Sequence, residues 1–302
     1  MKKTFIFAVL LLATYSLWAQ LDFSYEQAVF RNITMPYRKA LIAQDNEGLS
    51  SLVIYLHGGS SKGDDNEAQL QEPGTDSIAN YLVRKNKKSI FVVPQCPTNY
   101  SWGGPMNNAI EAMLDSLLSP GLVDSSRIYI FGGSMGGTGT WGMVSAYPEM
   151  FAAAMPVAGN PSRGNAESVS STPVYTVMGT ADAIMSIDVV EEFLQSLEEN
   201  GGEYMFDIEE GWTHEQTCIE SYTEVRLDWV FSHPADGQGG DPEDNPTAVG
   251  NYDYSHEIVT VRYYDLLGRI LNYMPDNGMF IMEIVYSDGT VSREKILGNR
   301  YK

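Results

Sequence analysis

The sequence predicts an α/β fold: a mostly parallel sheet with helices on both faces, followed by a small all-β module. Three observations carry this. Short apolar runs rich in Val and Ile alternate with helix-spaced segments from Ser51 to Phe231, the pattern of strands buried on both faces. A stretch rich in Gly, Pro and Asp, Pro234 to Gly250, then interrupts the alternation and reads as a linker. Beyond it come three strand-like runs separated by turn residues.

The first segment is a targeting signal. Lys2 and Lys3 supply a positive end, Thr4 to Trp18 is almost unbroken apolar sequence, and the small Ala19 precedes polar Gln20. This is the layout of a signal peptide over residues 1–19. The run is short for a membrane span, which takes roughly 20 apolar residues. The mature chain is therefore expected to lack a membrane span, to be exported to the periplasm and to end outside the cell or on its surface.

Residues 20–233 form the predicted main domain. Phe30 to Ala43 reads as a strand or hairpin turning at Met35-Pro36. Ser51 to Leu56 (SLVIYL) is a buried strand that runs into His57-Gly58-Gly59. Helical spacing follows over Asp64 to Lys85, then a strand at Ser89 to Val93 and an amphipathic helix at Asn107 to Leu118. Arg127 to Phe131, Ala152 to Val157, Pro173 to Met178 and Tyr204 to Glu209 are strands; Gly136 to Tyr147, Ile187 to Leu197 and Gln216 to Phe231 are helices. After the linker at 234–250, residues 251–302 hold strand-like runs at Glu257 to Tyr264, Met279 to Tyr286 and Val291 to Ile296.

Charge narrows the partners. Asp and Glu number 39 against 19 Lys and Arg, a formal charge of -20. So acidic a surface repels nucleic acid and anionic membranes and fits neutral substrates. The acidic linker lacks the ligand spacing of a calcium loop, and no metal or cofactor is expected. Cys96 and Cys218 are the only cysteines. In an oxidising compartment they are candidates for one disulfide anchoring the segment around His214, with two unpaired thiols as the alternative.

The chemistry is concentrated in RIYIFGGSMGGTGTW, Arg127 to Trp141. A strand runs into Gly132-Gly133-Ser134-Met135-Gly136 and a helix starts at once, which is the G-x-S-x-G pattern in the strand–turn–helix context it requires. A serine exposed on so sharp a turn is a candidate nucleophile. Its hydroxyl needs a general base, and the base needs an orienting acid. Only four histidines are present. His57 sits beside Gly58 and Gly59, where another role is expected, His233 begins the linker, and His256 belongs to the tail. His214, just past the last strand of the main domain, remains as the base. The acid should follow the strand between Ser134 and His214; Asp182 ends that strand's loop, with Asp188 on the next helix as the other candidate. The oxyanion donors are expected to be the backbone N–H groups of Met135 and of Gly59, with Ser60 as second choice for the latter.

LHGGSSKGDDN at 56–66, VVPQCP at 92–97, the run 127–159 and GTAD at 179–182 resemble the secreted esterases of the α/β-hydrolase superfamily, near the feruloyl and acetyl-xylan esterases. The resemblance covers residues 50–232 and implies a carboxylic-ester hydrolase working through an acyl-enzyme. VRYYDLLGRIL at 261–271 and GMFIMEIVYSDGTVSREKIL at 278–297 resemble the C-terminal sorting modules of type IX secretion, which implies the secretion machinery as a partner; a small glycan-binding module is the rival reading.

Only Asn160 to Thr172 separates two strands where lipid-active members of the superfamily insert a cap, so an open cleft is expected. It suits small esters, or esters carried on polysaccharides. Trp102 and Trp212, with Tyr100, stand at strand ends and are candidates to stack on a sugar or aromatic acyl group, with core packing as the alternative for each. A peptidase with the same three residues, and an idle glycan binder, are the other functional readings.

Overall fold

A computed structural model describes residues 21–234, 258–264, 269–271, 277–286 and 291–299. The expected signal peptide, and the expected linker apart from Pro234, lie outside these residues. The chain divides into two units, residues 1–245 and 246–302.

Unit one is built on eight strands: β1 Ser24–Phe30, β2 Ile33–Ile42, β3 Ser50–Leu56, β4 Ser89–Pro94, β5 Val123–Gly133, β6 Ala153–Val157, β7 Val174–Gly179 and β8 Tyr204–Glu209. Their order across the sheet is β1-β2-β4-β3-β5-β6-β7-β8. β1 and β2 are antiparallel to their neighbours, and the rest are parallel. Every residue of β3, β4, β6 and β7 is buried. A strand covered on both faces cannot alternate polar with apolar, which is why these segments read as continuous hydrophobic runs.

The helices are α1 Pro73–Arg84, α2 Pro105–Leu118, α3 Met135–Ala146, α4 Ala166–Val169, α5 Ile187–Glu199, α6 His214–Glu220 and α7 Glu224–Phe231. Side chains alternate across the sheet into two cores. Leu52, Ile54, Ile130, Ala154 and Met178 face one side, packed with Ile110, Met113, Trp141 and Leu194 from α2, α3 and α5. Val53, Tyr55, Phe131, Met155 and Val177 face the other, with Ile78, Leu82, Leu227 and Phe231 from α1 and α7.

Several expectations need correction. The first hairpin turns at Arg31-Asn32, both with positive φ, and Pro36 lies inside β2 opposite Gln27. The two-residue loop matches the twist of its strands, but Arg-Asn lacks the glycine that usually announces it. Helix α1 starts only at Pro73, whose missing N–H suits a first helical position. Upstream, Asp65 Oδ1 accepts from the N–H groups of Glu67 and Ala68 in a local turn. The closing helix is two helices: the chain bends at 221–223 to bury Tyr222 against Tyr55 and Phe131. Short α4 was not anticipated; Asn165 caps it through Ser168 N–H at 3.0 Å.

Unit two has strands β9 Ile258–Tyr264, β10 Ile270–Leu271, β11 Asn277–Tyr286 and β12 Val291–Asn299. They form an antiparallel sheet in the order β10-β9-β11-β12. The two-residue β10 is too short to leave a periodic signal.

Candidate active site

Ser134 stands between β5 and α3 with φ 57° and ψ −117°, a conformation that a non-glycine residue adopts only under constraint. The turn is tight enough to exclude side chains around it. A Cβ at Gly132 would lie 2.4 Å from the Gly136 carbonyl oxygen, and one at Gly136 would lie 1.8 Å from that of Leu56. The N–H of Ser134 donates to the Val157 carbonyl at 3.0 Å. The backbone is thereby locked to β6 and the hydroxyl projects beyond the strand ends.

Two loops bring partners to it. After β7 the chain turns through Asp182, whose N–H donates to the Gly179 carbonyl at 3.1 Å. Asp182 Oδ1 accepts from the N–H groups of Ile184 at 2.8 Å and Met185 at 2.9 Å. Oδ2 is left to meet His214 Nδ1 at 2.7 Å. After β8, Thr213 caps α6: its hydroxyl accepts from Gln216 N–H while the Gln216 side chain accepts from Thr213 N–H. This capping box sets His214 as the first helical residue. His214 Nε2 lies 2.7 Å from Ser134 Oγ.

The loops are also tied to each other, by Ala181 N–H to the Trp212 carbonyl at 3.0 Å and Gly211 N–H to Thr180 Oγ1 at 2.7 Å. Below them Arg226, almost fully buried, pairs with Asp207 and Glu209 of β8 and donates to the Ser221 carbonyl.

The proton positions follow from the partners. A carboxylate only accepts, so His214 Nδ1 carries hydrogen and Nε2 is the free base facing the serine hydroxyl. The Asp182 side chain is fully shielded, whereas that of His214 keeps 15% exposure. The structure thus joins the three residues in one chain of hydrogen bonds; Asp188 lies apart, in the first turn of α5.

The loop of His57 is a built feature of its own. His57 is fully buried. Its Nε2 accepts from Cys96 N–H at 2.9 Å, so Nδ1 is the protonated nitrogen and donates to the Gly58 carbonyl at 2.6 Å. Burial chiefly, and nearby Lys62 secondarily, lower its pKa from 6.5 to about 4. Gln95, also buried, donates to the Ser61 carbonyl and accepts from Asn66 N–H. Gly59 opens the 3₁₀ turn Gly59–Ser61 beside Met135, with 4.0 Å between a Cβ built on Gly59 and that of Met135. Each is the leading residue of a helical turn, so neither N–H has an acceptor within its own turn.

Trp102 is corrected. It is buried at 6% exposure, its ring N–H donates to the His57 carbonyl at 2.9 Å, and it meets the His57 ring edge-on. It supports the loop instead of presenting a face to a sugar. Trp212 remains partly exposed, with Arg226 6.0 Å from its ring centre. The candidate Cys96–Cys218 disulfide is also absent, and the alternative of two unpaired thiols holds: both are free. Cys96 belongs to the core on one face of the sheet and Cys218 packs against the core on the other. Burial raises both thiols to about 12.

A model of the prolyl oligopeptidase family matches residues 99–176, which span β5, Ser134 and β6. Poly(3-hydroxyalkanoate) depolymerase C of Paucimonas lemoignei is 29% identical over 136 residues, 42% of this chain and 31% of its own. The bifunctional acetylxylan esterase/xylanase XynS20E of Neocallimastix patriciarum is 26% identical over 181 residues, 58% of this chain and 25% of its own. A crystal structure of a thermostable esterase superposes with TM-score 0.65 at 27% identity, covering 70% of this chain and 63% of that one. The fold is that of the α/β-hydrolases. The relatives are hydrolases by name, and the chain spans less than a third of the length of the two curated ones.

Proposed function

We propose that the protein is an exported serine esterase that removes acyl groups, acetyl or feruloyl, from plant polysaccharides. The observation that carries this reading is the continuous chain from Asp182 through His214 to Ser134, with both links at 2.7 Å. In this reading Ser134 Oγ attacks the ester carbonyl while His214 Nε2 takes its proton. The carbonyl oxygen becomes an oxyanion that accepts from the N–H groups of Met135 and Gly59. On collapse the C–O bond to the carrier breaks, and His214 returns the proton to the departing alcohol. Water, deprotonated by His214, then releases the acid from the acyl-enzyme and restores Ser134. Asp182 stays ionised throughout and holds the Nδ1–H tautomer.

The substrate class is supported by the β6–β7 connection, which contains only the four-residue α4 where a lipid-binding cap would be inserted. It is supported too by the acetylxylan esterase relative. Trp212 supplies an aromatic face beside the His214 loop. Residues 251–302, by their resemblance to sorting modules, direct the enzyme through the type IX machinery. The family match at 99–176 favours a peptidase as the second reading. Hydrolysis of p-nitrophenyl acetate, methyl ferulate, acetylated xylan, p-nitrophenyl palmitate and a peptide anilide separates them. Turnover of the first three above the last two is expected; preference for the anilide or the palmitate would overturn the assignment.

A further inference from the structure

The residue before α1 is a glutamate that does not cap its own helix. Glu72 occupies the N-cap position, yet its side chain makes no capping bond there. Instead Oε1 reaches across the strand ends to the oxyanion loop. It accepts from Gly58 N–H at 3.2 Å and from the Ser61 hydroxyl at 2.5 Å. These donors flank Gly59 on both sides. A helix N-cap normally spends a short Ser, Thr, Asp or Asn side chain on its own N–H groups; here a longer one is spent on a distant loop. The two groups pack in ordinary van der Waals contact: a Cβ at Gly58 would lie 3.4 Å from Glu72 Oε1.

The consequence is geometric. The carbonyl and N–H of a trans peptide point in opposite directions. His57 Nδ1 fixes the Gly58 carbonyl, so the Gly59 N–H must point away from His57. Direction alone does not place the group: the peptide still shifts as a body unless the chain on both sides is held. Gly58 N–H fixes the entry to the peptide and the Ser61 hydroxyl fixes its exit, and both bonds end on one oxygen of Glu72.

We propose that Glu72 is the positioning residue of the oxyanion hole: its carboxylate oxygen aligns the Gly59 N–H with that of Met135 without touching the substrate. This rests on the serine-esterase reading. Glu72 acts here as an acceptor, not as a charge, because a negative group behind the hole opposes the oxyanion. A misplacement of about 1 Å at such a site costs on the order of 10²-fold in rate.

The test compares Glu72→Gln, Glu72→Asp and Glu72→Ala in the whole protein, with kcat and KM on p-nitrophenyl acetate and Ki for a phenyl trifluoromethyl ketone, whose adduct carries the oxyanion. Glutamine keeps an acceptor at the same reach and is expected within about threefold of the parent. Aspartate keeps the charge but falls short by one methylene. It and alanine should lose roughly 10- to 100-fold in kcat with KM within twofold, and Ki for the ketone should rise in step. The Gln and Asp variants decide the matter even if Ala does not fold. Full activity in Asp with loss in Gln, losses equal in both, or a lowered kcat with unchanged ketone affinity would each overturn the proposal. An inactive parent would instead refute the esterase reading itself.

Discussion

His57 follows the central strand β3 and His214 follows the outermost strand β8, and the fold treats them in opposite ways. His57 is fully buried and both its ring nitrogens are spent on backbone groups, Cys96 N–H and the Gly58 carbonyl. Neither partner ionises near neutral pH, so the ring serves as a two-pronged brace. His214 keeps some exposure, and its nitrogens face a carboxylate and a hydroxyl. One partner fixes the tautomer and the other has a proton to give. The difference is not in the imidazole but in what its second nitrogen meets.

The largest expected effect breaks the His214 side of this comparison. Ser134→Ala or His214→Ala should lower kcat on p-nitrophenyl acetate on the order of 10⁶-fold with folding intact, and Asp182→Asn roughly 10⁴-fold. The asparagine loss has a local cause. Its carbonyl oxygen stays with the Ile184 and Met185 N–H groups, so its NH₂ faces His214 and turns Nδ1 into an acceptor. Nε2 then carries the hydrogen and no longer accepts the serine proton. Circular dichroism and the same assay check both parts; near-parental turnover in Asp182→Asn would contradict this wiring.

The next effect tests His57 as a brace. The folded state keeps it neutral down to about pH 4, whereas the unfolded chain protonates it near 6.5. Between these values the unfolded chain binds more protons, so stability falls as pH falls. The contribution is complete above pH 6.5, is lost on approach to pH 4, and amounts to about 3 kcal/mol. Denaturant unfolding at pH 7 and pH 4 should therefore show a smaller acid loss in His57→Gln than in the parent. Equal losses would contradict this, because they would mean that His57 takes up its proton at the same pH in the folded and the unfolded chain.

The smallest effect sharpens how His214 is placed. Thr213→Ala removes the helix cap and should cost about 1 kcal/mol in stability, with only a few-fold fall in kcat because the ties to Ala181 and Thr180 remain. A thermal-shift series with parallel kinetics measures both.

The His214 side was largely legible in the sequence, because each of its members ends a recognisable strand and the G-x-S-x-G turn has one steric solution. Thr213-x-x-Gln216 has the spacing of a capping box, a second signal in the same four residues that hold the candidate base. On the His57 side the His-Gly-Gly loop was readable but its bracing was not. Glu72, Gln95 and Trp102 reach Gly58, Ser61 and His57 from 14, 34 and 45 positions away, and nothing local distinguishes a tryptophan that braces a loop from one that stacks on a sugar. The disulfide failed for a related reason: nearness to the same sheet edge does not say which face a side chain takes. Asp65 and Pro73 shortened α1 through turn and backbone chemistry that hydrophobic spacing alone does not register.

The most direct measurement is covalent trapping with a fluorophosphonate, read by intact mass and peptide mapping. The account predicts one adduct per chain, on Ser134, formed rapidly by the parent but barely at all by His214→Ala. Labelling on another residue, or labelling of His214→Ala at the parental rate, would contradict it.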